Sequence, residues 1–239
     1  MNKLKLFMII MIIITFISRN YLGSFQIIDT ISIEFKREYK EGNKNEITKG
    51  NIYYQAILKE VVIKVEYPIN QWMILKGNEM IIYYPNELQA FLIISQNPMS
   101  MPFFQAFIQV VKEDYGLSDF GYTFTNFKRE GNILISYWEP PKILSKLLGK
   151  FALKYEDNKL IYTEIKDAKG EILSKTYFKN HIIFGATYFP LEVSIVKNTR
   201  LSSTLETVIY KNPQFNSPIP QEIIAFKIPL DVKVKEVKW

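Results

Sequence analysis

The sequence predicts a mainly β, α+β fold: one curved antiparallel sheet whose open side is covered by short helices. Three observations carry this. Short segments alternate apolar and polar residues with a period of two, so each has one greasy face. Turn residues separate them at short spacing, as at Gly42, Lys76-Gly77-Asn78 and Pro85-Asn86. Only two stretches show helical spacing, a thin second layer against so many strands, so the sheet must curve and leave its concave side partly unfilled.

The first element is a leader. Lys3 and Lys5 precede an apolar run, Leu6 to Ile17, broken only by Thr15, the pattern of a secretory signal over residues 1–24. As a helix that run is about 18 Å long, short of a bilayer core of about 30 Å. Tyr21-Leu22-Gly23-Ser24 ends in a small residue, but Leu22 stands where a small side chain is preferred at a cleavage site. An uncleaved N-terminal membrane anchor is therefore the competing reading. Residues 25–239 read as a single domain without linkers or repeats, exported and soluble once the leader is removed. The absence of Cys excludes disulfides, thiolate chemistry and lipid attachment behind the apolar run.

The strands follow in order. Thr30–Tyr39 alternates Ile31, Ile33 and Phe35 against Ser32, Glu34 and Lys36, and a polar turn containing Gly42 closes it. Asn51–Leu58, Val61–Tyr67, Gln71–Leu75, Met80–Tyr84 and Leu88–Ile94 continue as a meander, with Pro68 ending the second of these. Pro102–Val111 sets Phe103, Phe104, Phe107, Ile108 and Val111 at helical spacing behind a proline. Pro141–Leu148, bounded by Gly149, is the second predicted helix, with Lys142 and Lys146 opposite Ile143, Leu144, Leu147 and Leu148. Between and after them Gly121–Phe127, Asn132–Trp138, Phe151–Glu156, Lys159–Lys166, Glu171–Lys179, Leu191–Val196, Ser203–Tyr210 and Ile223–Lys227 read as strands. Alternating Val232, Val234 and Val237 suggest a last strand.

Charge and chemistry exclude several function classes. With the leader removed, 30 basic residues less Lys3, Lys5 and Arg19, against 24 acidic ones, leave +3. Interspersed with acids, these make no basic stripe, so nucleic acid is not an expected partner. No nucleophile motif, phosphate loop or metal-ligand spacing is present, and no enzyme, cofactor or metal is expected. His181, the only histidine, has no partner pattern and reads as structural. Lys142, Lys146 and Lys150 form either a solvated face or a contact to anionic headgroups or an acidic partner.

Order and spacing of several motifs carry a resemblance. Lys49-Gly50 leads into Tyr53-Tyr54, one strand ends in Tyr67-Pro68, the next holds Trp72, and Gly77-Asn78 precedes Tyr83-Tyr84-Pro85. Trp138-Glu139-Pro140-Pro141, the Asp167-Ala168-Lys169-Gly170 turn, Phe189-Pro190, Thr207 to Asn212 and the stretch Phe226 to Val232 follow. In this the chain resembles the LolA-like periplasmic carriers of outer-membrane lipoproteins over nearly its whole mature length. The resemblance implies an incomplete β-barrel closed by helices, whose apolar interior takes the acyl chains of a lipoprotein. It implies as partners an inner-membrane lipoprotein-releasing ABC transporter and an outer-membrane acceptor. The chain departs from the pattern at Tyr67, where such carriers have an Arg before the proline, and in having only about Asn20 to Ile28 for the helix that precedes the first strand.

The expected cavity wall comprises Val65, Tyr67, Trp72, Ile74, Tyr84, Leu92, Phe103, Phe107, Leu144 and Leu147. For Trp72 and Ile74 ordinary core packing is an equal alternative, and for Phe103 and Phe107 helix-to-sheet packing is the favoured one. The expected function is a monomeric carrier of acylated lipoprotein or other lipid. The alternative is a lipid- or glycolipid-binding protein, or an envelope sensor or scaffold, on the same fold.

Overall fold

A computed structural model describes residues 28–94, 114–185, 187–198 and 202–238. The leader and the predicted helix Pro102–Val111, with Phe103 and Phe107, lie outside the described residues. Within them the strands are β1 (Thr30–Glu41), β2 (Lys44–Gln55), β3 (Glu60–Tyr67), β4 (Gln71–Lys76), β5 (Glu79–Tyr84), β6 (Gln89–Ile94), β7 (Thr123–Glu130), β8 (Ile133–Glu139), β9 (Leu148–Glu156), β10 (Lys159–Asp167), β11 (Ile172–Phe184), β12 (Thr187–Asn198), β13 (Ser203–Phe215) and β14 (Lys233–Lys238). A 3-10 turn, Ser118–Phe120, precedes β7, and one short helix, α1 (Gln221–Ile224), precedes β14.

All fourteen strands join one curved sheet in the order β14-β6-β5-β4-β3-β2-β1-β13-β12-β11-β10-β9-β8-β7, and the two ends do not meet. The predicted mainly β, open half-barrel is what forms. Its strands pair antiparallel apart from β14, which runs parallel to β6 with Lys233 opposite Gln89 and Lys238 opposite Ile94. β6 and β7 are consecutive yet lie in opposite arms, so the chain between them crosses the sheet. The described part of that crossing, residues 114–122, puts Leu117 and Tyr122 into the main core, with Tyr115 and Phe120 packed against it.

That core marks the inner face, because it draws side chains from both arms. Ile31, Ile33 and Phe35 of β1 meet Ile52, Ile63 and Val65 of one arm and Val208, Tyr210, Val193, Phe189 and Leu153 of the other. The period-two alternation of each strand delivers them, since successive residues face opposite ways. Gly50 is required by close approach: a Cβ there would overlap the carbonyl oxygen of Lys64, at the point where the β2–β3 register shifts.

The outer face of β2 to β6 has its own cover. From residue 216 the chain turns back over the sheet, pinned where Asp29 N donates to Asn216 Oδ1 (2.8 Å) and Thr30 Oγ1 donates to the Ser217 carbonyl (2.8 Å). Ile219 and Ile223 pack on Val62, Tyr53, Trp72 and Ile74. Phe226 stacks on Trp72 at 4.2 Å between centroids and 10° between planes, and Val232 settles on Tyr83 and Ala90. This strap is the long crossover that a parallel strand such as β14 needs.

Two expected elements are corrected. Pro141–Leu148 is not a helix: residues 142–147 form successive turns, and β9 begins at Leu148. Amide hydrogen bonds from Leu144 to the Pro141 carbonyl and from Leu147 and Leu148 to the Leu144 carbonyl hold it. Eight residues, with Ile143 and Leu147 left exposed, are too few to propagate a helix. Ile223–Lys227 is no strand: it contributes the end of α1 and the coil after it, and Pro218 and Pro220 before α1 and Pro229 beyond break any ladder. β2 starts at Lys44 rather than Asn51, because the β1–β2 hairpin zips through its polar end as far as Glu41 opposite Lys44.

Candidate functional site: the inner face of the sheet

The inner face is built from strand positions that alternate inward. One arm supplies Val61, Ile63 and Val65, then Met73 and Leu75, then Met80; the other supplies Leu153, Leu160, Phe178, Phe189, Val193 and Ile195. Aromatic rings enlarge the wall. Phe215 stacks on Phe184 at 4.4 Å and meets Phe189 edge-on at 5.6 Å, and Phe151 meets Tyr122 edge-on at 5.9 Å.

A few polar groups interrupt this surface. Trp138 Nε1 donates to Ser136 Oγ at 3.1 Å, and the Tyr155 hydroxyl is hydrogen-bonded to both Ser136 and Tyr115. Burial pushes the Tyr115 phenol up to about 12, and pushes Tyr155 up further, helped by its bond to Tyr115. Tyr122 is 6% exposed, its hydroxyl has no hydrogen-bond partner among the described residues, and burial raises its phenol to about 12. Toward the β1–β2 hairpin the wall turns charged: Arg37 Nε lies 2.9 Å from Glu206 Oε1, and the guanidinium stands over the Tyr39 ring at 5.2 Å. The face is thus an apolar trough with neutral hydroxyls along it and one ion pair toward one end.

The candidate wall residues separate on this frame. Val65 belongs to the inner core, and Tyr84 shares the inward alternation of Met80 and Ile82, meeting Phe91 edge-on at 6.2 Å. Trp72 and Ile74 face the other way, under the strap, and Leu92 alternates outward with Ala90. These three are corrected from cavity wall to outer face. Tyr67 sits at the rim, 53% exposed, with the Lys49 ammonium 5.7 Å above its ring. Leu144 is half-buried in the β8–β9 turn, and Leu147 is 69% exposed at its tip, so neither lines the trough. Sequence reasoning passed over Tyr115, Tyr155 and Ser136, whose hydroxyls converge only through strand pairing and the crossing chain, and over Tyr122, packed edge-on against Phe151. It also passed over Arg37 and Glu206, which lie 169 positions apart and meet because β1 pairs with β13.

Chemically the face can enclose apolar matter and offer it isolated hydroxyls. His181 is held elsewhere: its Nε2 donates to the Leu160 carbonyl at 2.8 Å, and burial lowers its pKa, so it stays neutral. Among the described residues no group of three His, Asp or Glu could hold a metal ion, and no helix is long and apolar enough to cross a membrane.

No family model and no curated protein matches the chain. Solved structures do. A DUF1329 family protein from Desulfovibrio piger superposes with a TM-score of 0.60 at 11% identity, covering 82% of this chain and 90% of its own. A LolA superfamily protein from Nitrosomonas europaea gives 0.55 at 10% identity, covering 84% and 94%. A domain from Vibrio parahaemolyticus named for outer-membrane lipoprotein sorting gives 0.60 at 11% identity, covering 81% and 88%. Identities this low speak for architecture alone, and on that architecture the chain has the LolA-like fold.

Proposed function

We propose that the protein is a periplasmic carrier that holds acyl chains of lipoproteins, or of another lipid, against the inner face of its half-barrel and passes them from the inner to the outer membrane. The observation that carries this is the trough itself: both arms of an unclosed sheet turn apolar side chains inward, on a fold shared with a LolA superfamily protein. Burying a sixteen-carbon chain is worth about 12 kcal/mol gross, at about 0.8 kcal/mol per CH2. Release into water would be far too slow, so transfer must be a direct hand-off, from an inner-membrane ABC transporter and to an outer-membrane acceptor. The neutral hydroxyls of Tyr115 and Tyr155 suit the ester or amide carbonyls that begin such chains.

Tyr67 supports a looser closure than an arginine would give, since it holds only a cation over its ring at the rim. The test is mass spectrometry of organic extracts from protein purified out of its native envelope, with uptake of an acylated peptide by the delipidated protein. The expected result is a bound acylated species, and displacement of an apolar dye by the peptide. Protein that carries no lipid and takes up neither peptide nor dye overturns the proposal.

A further inference from the structure

The β8–β9 tip carries apolar side chains that the fold does not use. Ile143 is 88% exposed and Leu147 69% exposed. Around them stand the exposed lysines Lys142, Lys146 and Lys150, the last paired with Glu139 at 3.0 Å. Phe124, 51% exposed at the start of β7, adjoins the root of the tip: it meets Trp138 edge-on at 5.6 Å, and a Cβ on nearby Gly121 would stand 3.3 Å from Pro141. Other turns also show apolar residues. Ile57, in the β2–β3 turn at the opposite end of the sheet, is 92% exposed. There a single lysine, Lys59, is followed directly by Glu60. What sets the β8–β9 tip apart is charge: three lysines within nine residues around two aliphatic knobs, with Glu139 as the one acid at its base.

Solvent-exposed aliphatic side chains ringed by ammonium groups match one surface well, the interface of an anionic bilayer, where headgroup phosphates meet the lysines and the aliphatic side chains enter the acyl boundary. Lysine suits this because its four-carbon stem lies along the apolar layer while its head stays in water. Amide hydrogen bonds to the Pro141 and Leu144 carbonyls hold the turns, in which Ile143 and Leu147 are both left exposed. We propose that the β8–β9 tip docks the protein on anionic phospholipid membranes, inserting Ile143 and Leu147 while Lys142, Lys146 and Lys150 bind headgroup phosphates. The proposal does not depend on what the inner face holds.

The absence of Cys from the whole chain makes a local test available. Ile143→Cys and, as control, Ile57→Cys in the full chain are labelled with an environment-sensitive fluorophore. Each is titrated with vesicles of phosphatidylcholine alone, or of phosphatidylcholine containing about one third phosphatidylglycerol. The probe at 143 is expected to brighten and shift to the blue with the anionic vesicles only, and the probe at 57 to stay unchanged. Adding Lys142→Gln and Lys146→Gln should weaken the titration at 143 by about ten- to thirtyfold, and raised salt should weaken it likewise. No change at 143, an equal change at 57, an equal response to neutral vesicles, or indifference to the two lysine changes would overturn the proposal. Apolar dye binding by the lysine variant reports on the inner face separately, so failure of one reading is not mistaken for failure of the other.

Discussion

At the scale of single residues, the inner face contains two features whose energetics can be read directly. The first is the Tyr122 hydroxyl, buried without a partner among the described residues. An unsatisfied buried polar group costs about 1–3 kcal/mol, so Tyr122→Phe is expected to raise stability at neutral pH by about 1 kcal/mol in chemical denaturation. The same residue sets a pH dependence. Its phenol is raised to about 12, so below about pH 10 both folded and unfolded forms are protonated and its contribution is fully present. Between about 10 and 12 the unfolded chain ionises first and that contribution is lost. Tyr122→Phe should flatten the alkaline loss of stability in that window, and a variant less stable than wild type at neutral pH would mean the hydroxyl has a partner after all. The second feature is the Arg37–Glu206 pair, with side-chain exposures of 18% and 4%. Arg37→Met strands a buried carboxylate and should cost about 3–5 kcal/mol, whereas Arg37→Met with Glu206→Met should recover most of it. Equal losses in the single and double variants would show that the shape of the arginine, not its charge, is what the site needs. Neither feature was legible in the sequence, because an inward-facing polar residue in an alternating strand looks the same as a solvated one until its cross-strand neighbours are known.

At the scale of elements, alternation located most strands well and misassigned faces where both are covered. In β3 to β5 the sequences EVVIKVEY, QWMILK and EMIIYY are apolar on successive residues, so a period of two cannot tell inner from outer. The cause is the strap, which buries Trp72, Ile74 and Tyr83 from the far side. A segment so rich in proline gives a misleading signal, since Ile223–Lys227 reads as a strand, although it supplies a second small core. The strap's anchor is Phe226, stacked on Trp72 and tilted against Tyr83 at 5.8 Å. Phe226→Ala is expected to cost about 2–3 kcal/mol, below the range for a fully buried ring because Phe226 is only partly enclosed. It should also shift Trp72 emission to the red as water reaches the indole. An unchanged emission spectrum with unchanged stability would remove the strap from the list of stabilising elements and leave β14 held by its ladder to β6 alone.

At the scale of the whole molecule, the long sheet has a graded protection built into its order. β1 lies in its middle, flanked by β2 and β13, and these strands hold Ile31, Ile52 and Val208, each at 0% exposure. At one end β7 is exposed along all eight residues and, among the described residues, pairs only with β8. Its outer edge is kept from casual pairing by Lys128, Arg129 and Glu130, the charged type that blunts sheet edges. Opening that edge breaks one ladder and uncovers little apolar surface, whereas opening β1 breaks two ladders and uncovers the centre of both arms. Amide hydrogen exchange followed by mass spectrometry should therefore find peptides of β7 exchanging fastest among the strands, and peptides of β1 and β13 exchanging near the global unfolding rate. Acyl ligand in the trough should slow exchange in strands of both arms, β3 and β12 together, because it touches the inner face of each. Protection confined to one arm would place the ligand on a patch rather than in the trough, and a β7 as protected as β1 would mean that its edge is covered by another part of the chain or by a second molecule.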